Sequence, residues 1–261
     1  MAISKKRDAI NEIFKELYEK SPQKKVLEFN NETVKEVTGK KFRNQFDATK
    51  FETSEKRPEL LKKHGFFIIH LGKGNHAFVK GEGYHKFEQI KDVIKWKAPM
   101  SVIDAISDSE AQSISTAFND KIIHDFLFGD TNKEILVHTA RRSRVSYRVK
   151  INGETLETDK LQIELDGIFE TKDTIATVEA KNQDHGEFEI RQLFSVMKYF
   201  EIKKCLIPKK IRHLFLIRIK KRGESYFKIY EYEFMDTENP NSIKLVKCKK
   251  YDLSQFTSHS L

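Results

Sequence analysis

The chain has 261 residues, of which 38% are hydrophobic and 33% charged, with 20 Phe and only 5 Pro, a composition that excludes a largely disordered protein and allows one large or two modest domains. Its longest apolar clusters, such as residues 66–69 and 214–217, are far shorter than the roughly 18 residues that a membrane helix needs, and no apolar segment follows the basic residues 1–7. We therefore predict a cytoplasmic protein in which Cys205 and Cys248 are reduced, structural thiols.

The formal net charge of +9 is distributed unevenly along the chain. Residues 1–100 carry +8, residues 101–200 carry −6 and residues 201–261 carry +7. Basic segments attract phosphate, whereas carboxylates bind metal cations, so an acidic middle between basic flanks is typical of an enzyme that acts on a polyanion through bound metal. The alternative is that the basic segments are solvated surfaces without a nucleic-acid partner.

The chain begins with a pattern that predicts helices. Apolar residues recur at helical spacing from Lys6 to Tyr18, and Ser21-Pro22 ends the pattern. Two shorter helices are predicted at residues 33–37 and 58–63.

A hairpin is predicted next, because residues 66–71 and 76–80 flank the sequence Gly72-Lys73-Gly74-Asn75. Helices followed by a basic-tipped hairpin are typical of a winged-helix-like DNA-binding domain, which we place at residues 1–98. A plain helix-plus-hairpin cap without a role in DNA binding is the alternative.

A second domain is predicted at residues 99–261, where the pattern changes. Residues 107–110 have the Ser-x-x-Glu form of a capping box, and helical spacing then continues to about Phe128, which predicts one long helix. The elements predicted after it form an α/β sandwich pattern. They are strands at residues 145–151, 161–169 and 174–180, a helix at residues 188–200, and strands at residues 211–219 and 226–234.

Two neighbouring strands of this domain carry acids and an amine. The strand that reaches Asp166 alternates strictly, so Glu164 and Asp166 share the face opposite its apolar residues. In the next strand the same period of two places Glu179 and Lys181 on one face. A turn of four residues separates the strands, so a hairpin is expected to bring Asp166 near Glu179 and Lys181.

The acid-x-Lys tripeptide by itself carries little information, because this composition produces roughly five copies by chance. The chain has three, beginning at Glu170, Glu179 and Glu201. Only Glu179-Ala180-Lys181 lies on an apolar strand beside a second acid. A structural ion pair is the alternative interpretation of this cluster.

These residues resemble a known family. Asp166, then Glu179-Ala180-Lys181 and an amphipathic helix, resembles the core of the PD-(D/E)XK nucleases, and residues 162–193 resemble one group of type II restriction endonucleases. Residues 63–74 and the Arg141-Arg142-Ser143-Arg144 segment are similar to that group as well. Leu165 departs from the pattern, since Pro often precedes the family's Asp.

The resemblance implies a fold and an activity. The fold is a restriction-endonuclease-like core, with a mixed central sheet flanked by helices, joined to an N-terminal, mainly helical winged-helix-like domain. The activity is Mg²⁺-dependent, sequence-specific hydrolysis of phosphodiester bonds in double-stranded DNA, leaving 5′-phosphate ends. The implied partners are a second copy of the chain, in a homodimer, and a companion DNA methyltransferase of the same restriction system.

The resemblance also assigns roles to the clustered residues. Asp166, Glu179 and the carbonyl of Ala180 would hold Mg²⁺, which prefers oxygen ligands. Lys181 would orient the attacking water or help to deprotonate it, a role that a lowered pKa would assist.

Three further residues are candidates near this centre. Glu110 would face the metal from the first helix of the core, or would only cap that helix. Gln192 would touch the catalytic strand or the DNA backbone, or would be a surface residue. Glu164 would be a ligand of a second metal ion, or would take the place of Asp166 if the register of the strand differs.

Basic residues near the predicted site are candidates for DNA contacts, because Arg suits phosphate and guanine and Lys suits phosphate. Taken singly, each basic residue either contacts phosphate or is solvated. The sequence does not distinguish such residues from those that contact the bases. The candidates are Arg141, Arg142, Arg144, Arg148, Lys73, Asn75, Lys41 and Arg43.

Two other functions compete with restriction. A non-catalytic DNA-binding regulator would combine a winged-helix-like N-terminus with a structural C-terminal sandwich, but such a protein has no use for clustered acids that face phosphate. A PD-(D/E)XK repair or junction nuclease would share the site and differ in its substrate.

Overall fold

The computed structural model describes residues 2–39, 44–98, 109–221 and 223–253. The first part of the chain forms four helices and a three-stranded sheet in the order β1-β3-β2, in which both pairs are antiparallel. Its elements are α1 (Ala2–Lys20), β1 (Val26–Asn30), α2 (Asn31–Thr38), α3 (Gln45–Thr49), α4 (Glu59–His64), β2 (Phe66–Gly72) and β3 (Asn75–Lys80).

The first helix, the two short helices and the hairpin predicted for this part are confirmed. One face of the small sheet buries Phe66 and Phe78 against Phe14 of α1, with ring centroids 5.1 and 5.2 Å apart. The strand β1 and the helix α3 were not predicted. β1 has only five residues, and its partner strand lies about fifty residues later, since Val26 pairs with Val79.

The second part is built around a seven-stranded sheet in the order β5-β14-β13-β12-β10-β9-β6. The pairs β10–β12 and β14–β5 are parallel and the others are antiparallel, so the sheet is mixed. Its elements, with those that surround it, are β4 (Tyr84–Lys86), β5 (Val93–Lys95), α5 (Glu110–Asn119), α6 (Ile122–Phe128), β6 (Val137–Val145), β7 (Arg148–Ile151), β8 (Glu154–Glu157), β9 (Leu161–Glu170), β10 (Thr174–Lys181), β11 (Glu187–Glu189), α7 (Arg191–Ile202), β12 (Lys210–Lys221), β13 (Glu224–Phe234) and β14 (Ile243–Asp252).

Helices cover both faces of this sheet. Phe194 and Met197 of α7 pack on one face in a cluster that includes Leu165. Ile114 of α5 and Phe126 of α6 belong to the cluster on the other face. The predicted α/β class, with a mixed sheet flanked by helices, is confirmed.

The long helix predicted up to Phe128 is wrong, because the chain forms two helices there. α5 ends at Asn119, and Lys121 takes a left-handed conformation (φ +63°) that interrupts the helical path before α6 begins. The predicted cap is wrong as well. Ser109 is the N-cap, accepting from the N–H of Gln112 at 3.1 Å.

The strand predicted at residues 145–151 is interrupted at Ser146 and Tyr147, which separate β6 from β7. Tyr147 is buried, its N–H donates to Thr158 Oγ1 at 2.9 Å, and its hydroxyl lies 2.7 Å from Ser195 Oγ. These contacts anchor the side chain inside the protein, and β7 pairs with β8 in a small separate sheet.

The two parts share one hydrophobic core. Phe67, Ile69 and Leu71 of β2 lie in the same buried cluster as Leu161 and Leu165 of β9. In addition, β5 adds to the edge of the large sheet through β14. The domain limits 1–98 and 99–261 stay a prediction, and residues 99–108 at that limit lie outside the described residues.

Within the described parts of the chain, none of the helices combines the length and the apolar character that crossing a membrane requires.

Candidate active site

A cleft of about 810 Å³ lies between the two parts of the chain. We call its two sides the core wall and the N-terminal wall. The core wall comes from α5, β9, β10 and α7 and includes Glu110, Asp166, Glu179, Lys181 and Gln192. The N-terminal wall comes from α2, α3 and the β2–β3 hairpin and includes Asn31, Asn44, Phe46, His70 and His76.

A β-bulge sets the position of Asp166. Where β6 pairs with β9, Ala140 alone lies opposite both Asp166 and Gly167, and an extra residue of this kind redirects the strand locally. The pairing of β9 with β10 ends at Gly167 and Val178. Beyond it, the main-chain N–H of Ala180 donates to Asp166 Oδ2 at 3.0 Å, so the carboxylate is held where the two strands separate.

Glu179 is an enclosed acid of the core wall, with a side chain 12% exposed. Its Oε1 accepts from Lys181 Nζ at 2.8 Å and from Gln192 Nε2 at 2.5 Å. Burial raises the pKa of Glu179 to about 7, because the attraction of Lys181 only partly offsets desolvation and the charge of Asp166 adds to it. The carboxyl group of Glu179 therefore titrates near neutral pH.

Lys181 is surrounded by oxygen atoms. Its Nζ lies 2.8 Å from Glu179 Oε1, 2.8 Å from the carbonyl oxygen of Ala180 and 3.1 Å from Glu110 Oε1. Burial lowers the pKa of Lys181, but Glu179, then Glu110 and Asp166, raise it by more, so the net shift is upward. In this arrangement the pKa is not lowered, so the side chain is a held ammonium rather than a base.

Glu110 joins this cluster, since its carboxylate lies against Lys181 and Ser109 provides the helix cap. Gln192, one residue into α7, contacts Glu179 directly. The structure thus brings Asp166, Glu179 and Lys181 together with Glu110 and Gln192.

The predicted Mg²⁺ ligands form a small set. Among the residues that the structure describes, no group of three or more His, Cys, Asp or Glu side chains is arranged to hold a metal ion. The set of Asp166, Glu179 and the Ala180 carbonyl has two carboxylates and one main-chain oxygen. Glu179 Oε1 and the Ala180 oxygen already converge on the cationic Nζ of Lys181, so their chemistry fits a small, hard cation.

The predicted arginines are distributed over different surfaces. Arg144 lines the cleft, opposite Gln162 of β9. Arg142 pairs with Glu164 at 2.9 Å, an exposed ion pair. Arg141 lies opposite Leu165, and its side chain is outside the cleft lining.

The remaining predicted DNA contacts lie at the hairpin tip and beyond it. Lys73 and Asn75 line the cleft, and Lys73 pairs with Asp159 at 2.6 Å. Arg148 pairs with Glu157 on the small β7–β8 sheet, away from the cleft lining. Lys41 and Arg43 lie outside the described residues.

The N-terminal wall contains a hydrogen-bond chain that was not predicted. His70 Nδ1 lies 2.9 Å from His76 Nδ1, and His76 Nε2 lies 2.8 Å from Asn31 Oδ1. The ring of Phe46 packs on His70 with centroids 4.4 Å apart. The available signal was a histidine inside each of the two apolar strands that flank the predicted turn.

A second buried pair supports the start of α7. Arg191 donates to both carboxylate oxygens of Glu189, at 2.9 and 3.1 Å. Burial opposes the charge of Arg191, but Glu189 outweighs it, so the pKa of Arg191 is raised. This pair fixes the turn that carries Gln192 to Glu179.

The comparison with protein families gives two matches. Residues 7–78 match the family described as Domain of unknown function (DUF6996), and residues 79–252 match the family described as Domain of unknown function (DUF6997). Neither the curated proteins nor the solved structures give a match. Because the second match spans well over half of the sequence, the chain belongs to the DUF6997 family.

Proposed function

We propose that this protein is a type II restriction endonuclease that hydrolyses phosphodiester bonds in double-stranded DNA in a Mg²⁺-dependent, sequence-specific reaction and leaves 5′-phosphate ends. The observation that carries the proposal is the convergence of Asp166, Glu179 and Lys181 in one cleft, at the point where β9 and β10 separate. Titratable groups with strongly shifted pKa values that line a cleft are typical of a functional site.

The order of helices and strands also supports this proposal. A helix, an antiparallel hairpin that carries the acids, a second helix and a parallel strand follow one another as α5, β9–β10, α7 and β12. That order fits a restriction-endonuclease-like core. In the first part, the order α1, β1, α2 and then the β2–β3 hairpin, with β1 paired to β3, fits a winged-helix-like module.

Asp166, Glu179 and the carbonyl oxygen of Ala180 are the atoms that would hold Mg²⁺. When bound, the ion would supply Lewis-acid stabilisation of the phosphoryl oxygen and lower the pKa of a bound water.

Lys181 provides a positive charge whether or not Mg²⁺ is bound. Its ammonium is fixed by Glu179 and Glu110, so it presents a positive charge to a phosphate that enters the cleft. A preorganised charge of this kind stabilises the negative charge that develops on the phosphoryl oxygens. Lys181 also has hydrogen-bond donors with which to orient the attacking water.

Glu110 and Gln192 position these groups. Gln192 donates to Glu179 and thereby fixes the carboxylate. Glu110 limits the rotation of the Lys181 side chain by holding its Nζ from the side of α5. Partners of this kind orient the groups that touch the substrate.

The proposal includes partners. Two copies of the chain would act together, because one active site cuts one strand and a palindromic site matches a two-fold axis. A companion DNA methyltransferase would protect the host's own sites, and both proteins would work in the cytoplasm.

The test is digestion of a panel of unmethylated plasmids with purified protein in Mg²⁺ or Mn²⁺, followed by sequencing of the ends. We expect discrete fragments with 5′-phosphate ends and one recurring sequence. Plasmids that stay intact in both metals, at protein concentrations that bind DNA, would show that the protein is not an endonuclease. Products that depend on branched DNA would indicate a junction nuclease instead.

A further inference from the structure

The proposed hydrolysis uses the core wall and leaves the N-terminal wall without a role. We propose that the N-terminal wall receives a single nucleobase that has left the base stack of the DNA. This inference rests on the proposed function, since it assigns the occupant of the other half of the same cleft.

The size of the cleft is the first argument. A volume of about 810 Å³ is that of a pocket for a small ligand, which spans about 300–1,000 Å³. That is the space of one small ligand rather than of a length of duplex. The duplex therefore lies across the mouth, and the group that enters has the size of a nucleotide.

The second argument is the lack of charge on the innermost part of the N-terminal wall. His70 and His76 are 2% and 1% exposed. Burial lowers the pKa of His70 well below its usual range and lowers the pKa of His76 to about 4. Both imidazoles are neutral at physiological pH, so this surface suits an uncharged group rather than a phosphate.

The hydrogen-bond chain fixes the orientation of these rings. Asn31 Oδ1 only accepts hydrogen bonds, so His76 Nε2 donates to it. His76 Nδ1 then carries a lone pair and accepts from His70 Nδ1. The carboxamide of Asn31 therefore determines the tautomers of both histidines. Asn31 is itself held in place, because its main-chain N–H donates to the carbonyl of Gly74 at 2.8 Å.

The third argument is an aromatic surface beside polar edges. Phe46 is half-buried and lines the cleft, with its ring on His70. Nucleobases of any sequence stack on aromatic rings. Asn31 and Asn44 line the same wall. Their Oδ1 atoms accept from His76 and from the N–H of Phe46, so their side-chain NH₂ groups are the donors offered to the edge of an extrahelical base.

Cations at the rim complete the arrangement. Lys50, Arg144 and Lys160 line the cleft, and in the described part of the chain each of them lacks an ion-pair partner. They come from the segment after α3, from β6 and from the turn before β9. Free cations at the mouth would hold the phosphates on either side of the displaced nucleotide.

The test uses the full-length protein and the cognate duplex that the plasmid digestion identifies. 2-Aminopurine, whose fluorescence is quenched by stacking on neighbouring bases in the duplex, replaces one base at a time across the site. Fluorescence is read in EDTA so that no strand is cut. We expect a several-fold increase at one position with the wild-type protein. We expect Phe46→Ala to remove most of this increase.

Two further variants keep the test interpretable. Phe46→Leu preserves most of the volume and removes the aromatic face, so it replaces Phe46→Ala if the smaller side chain lowers the melting temperature strongly. Phe128→Ala removes a half-buried ring outside the cleft lining, and we expect it to leave the fluorescence increase unchanged.

The outcomes separate this inference from the proposed function. Cleavage of the duplex without an increase at any position would overturn the inference and leave the endonuclease in place. An increase that persists in both Phe46 variants would overturn it too, because the base would then be held elsewhere. A protein that neither binds nor cleaves duplex DNA would refute the proposed function, and the inference with it.

Discussion

The core wall of the cleft keeps charged groups in contact with one another, whereas the N-terminal wall keeps a pair of imidazoles uncharged. On the core wall, Lys181 contacts both Glu179 and Glu110. On the N-terminal wall, His70 and His76 bond to each other, and His76 also bonds to the carboxamide of Asn31.

Burial acts on both walls in the same sense, because it disfavours the charged form of any group. It raises the pKa of Glu179 and lowers the pKa of His76. The difference comes from the neighbours, since three carboxylates more than compensate the desolvation of Lys181. One wall is therefore suited to chemistry on a charged phosphate, and the other to contact with a neutral group.

Asp166→Asn, on the core wall, has the largest predicted effect on cleavage. Asn retains an oxygen that accepts from the N–H of Ala180, so the fold should persist, while one of the two carboxylates of the metal set is lost. We expect cleavage to fall by about 10³-fold. Affinity for the duplex in EDTA should hold or rise, because at an effective dielectric of about 20 two charges about 5 Å apart repel by roughly 3 kcal/mol before screening.

Cleavage in Mg²⁺, binding in EDTA and the melting temperature are measured on one preparation. A loss of stability together with binding would mean that Asp166 is only a structural partner. Glu164→Gln on the same strand tests the second-metal role of Glu164, which also lines the cleft. Its carboxylate is 53% exposed and pairs with Arg142, so cleavage should change by less than about threefold.

The pH dependence tests the raised pKa of Glu179. Below about pH 7 this carboxyl is protonated and does not bind a cation. At limiting Mg²⁺, cleavage should therefore rise about tenfold per pH unit up to about pH 7 and then level off. A rate that is flat between pH 5.5 and 7.5 would contradict the shift.

The raised pKa of Glu179 also predicts how the stability of the metal-free protein depends on pH. The native state holds the Glu179 proton more tightly than the unfolded chain does, since the pKa moves from 4.5 to about 7. The stabilisation is complete below about pH 4.5 and is lost as the pH rises through about 7, by about 3 kcal/mol at most. Thermal unfolding in EDTA from pH 5 to pH 8 measures it, and Glu179→Gln should remove this part of the dependence.

Gln192→Met tests positioning on the core wall with a smaller effect. Met has a similar length and no donor, so Glu179 loses one hydrogen bond to its charged form. We expect about a tenfold loss of cleavage at pH 7, and a pH profile displaced upward because the pKa of Glu179 rises further. Gln112→Met makes the same chemical change on α5 and serves as the control. An unchanged pH profile in Gln192→Met would show that the contact does not set this pKa.

The elements that were predicted well have strong local signals. The β9–β10 hairpin follows from strict alternation and a short turn, and it predicted that Asp166 lies near Glu179 and Lys181. The bulge at Asp166 and Gly167 was not predictable, because it depends on the pairing with β6. The contact of Glu110 with Lys181 has the same origin, since the two residues are brought together only by the packing of α5 on the sheet.

The N-terminal wall was harder to predict for a related reason. The hairpin and its basic tip were evident from Gly72-Lys73-Gly74-Asn75, but its orientation was not. One face of β2 packs into the core of the large sheet, and the tip of the hairpin lines the cleft. Removing residues 1–98 would expose that core, so their part in DNA binding is better tested by changing single charges.

Arg144→Gln gives the smallest predicted effect and tests whether the rim of the cleft binds phosphate. Arg144 lines the cleft without an ion-pair partner among the described residues, so its charge is available to DNA. We expect a loss of about three- to tenfold in affinity for duplex in EDTA at about 0.1 M salt, and a salt slope reduced by about one. Lys73→Gln removes the same charge from a side chain that Asp159 already pairs, and should change affinity by less than about twofold. Equal losses in the two variants would show that net charge, rather than the rim of the cleft, determines binding. No loss in Arg144→Gln would place the DNA backbone on another surface.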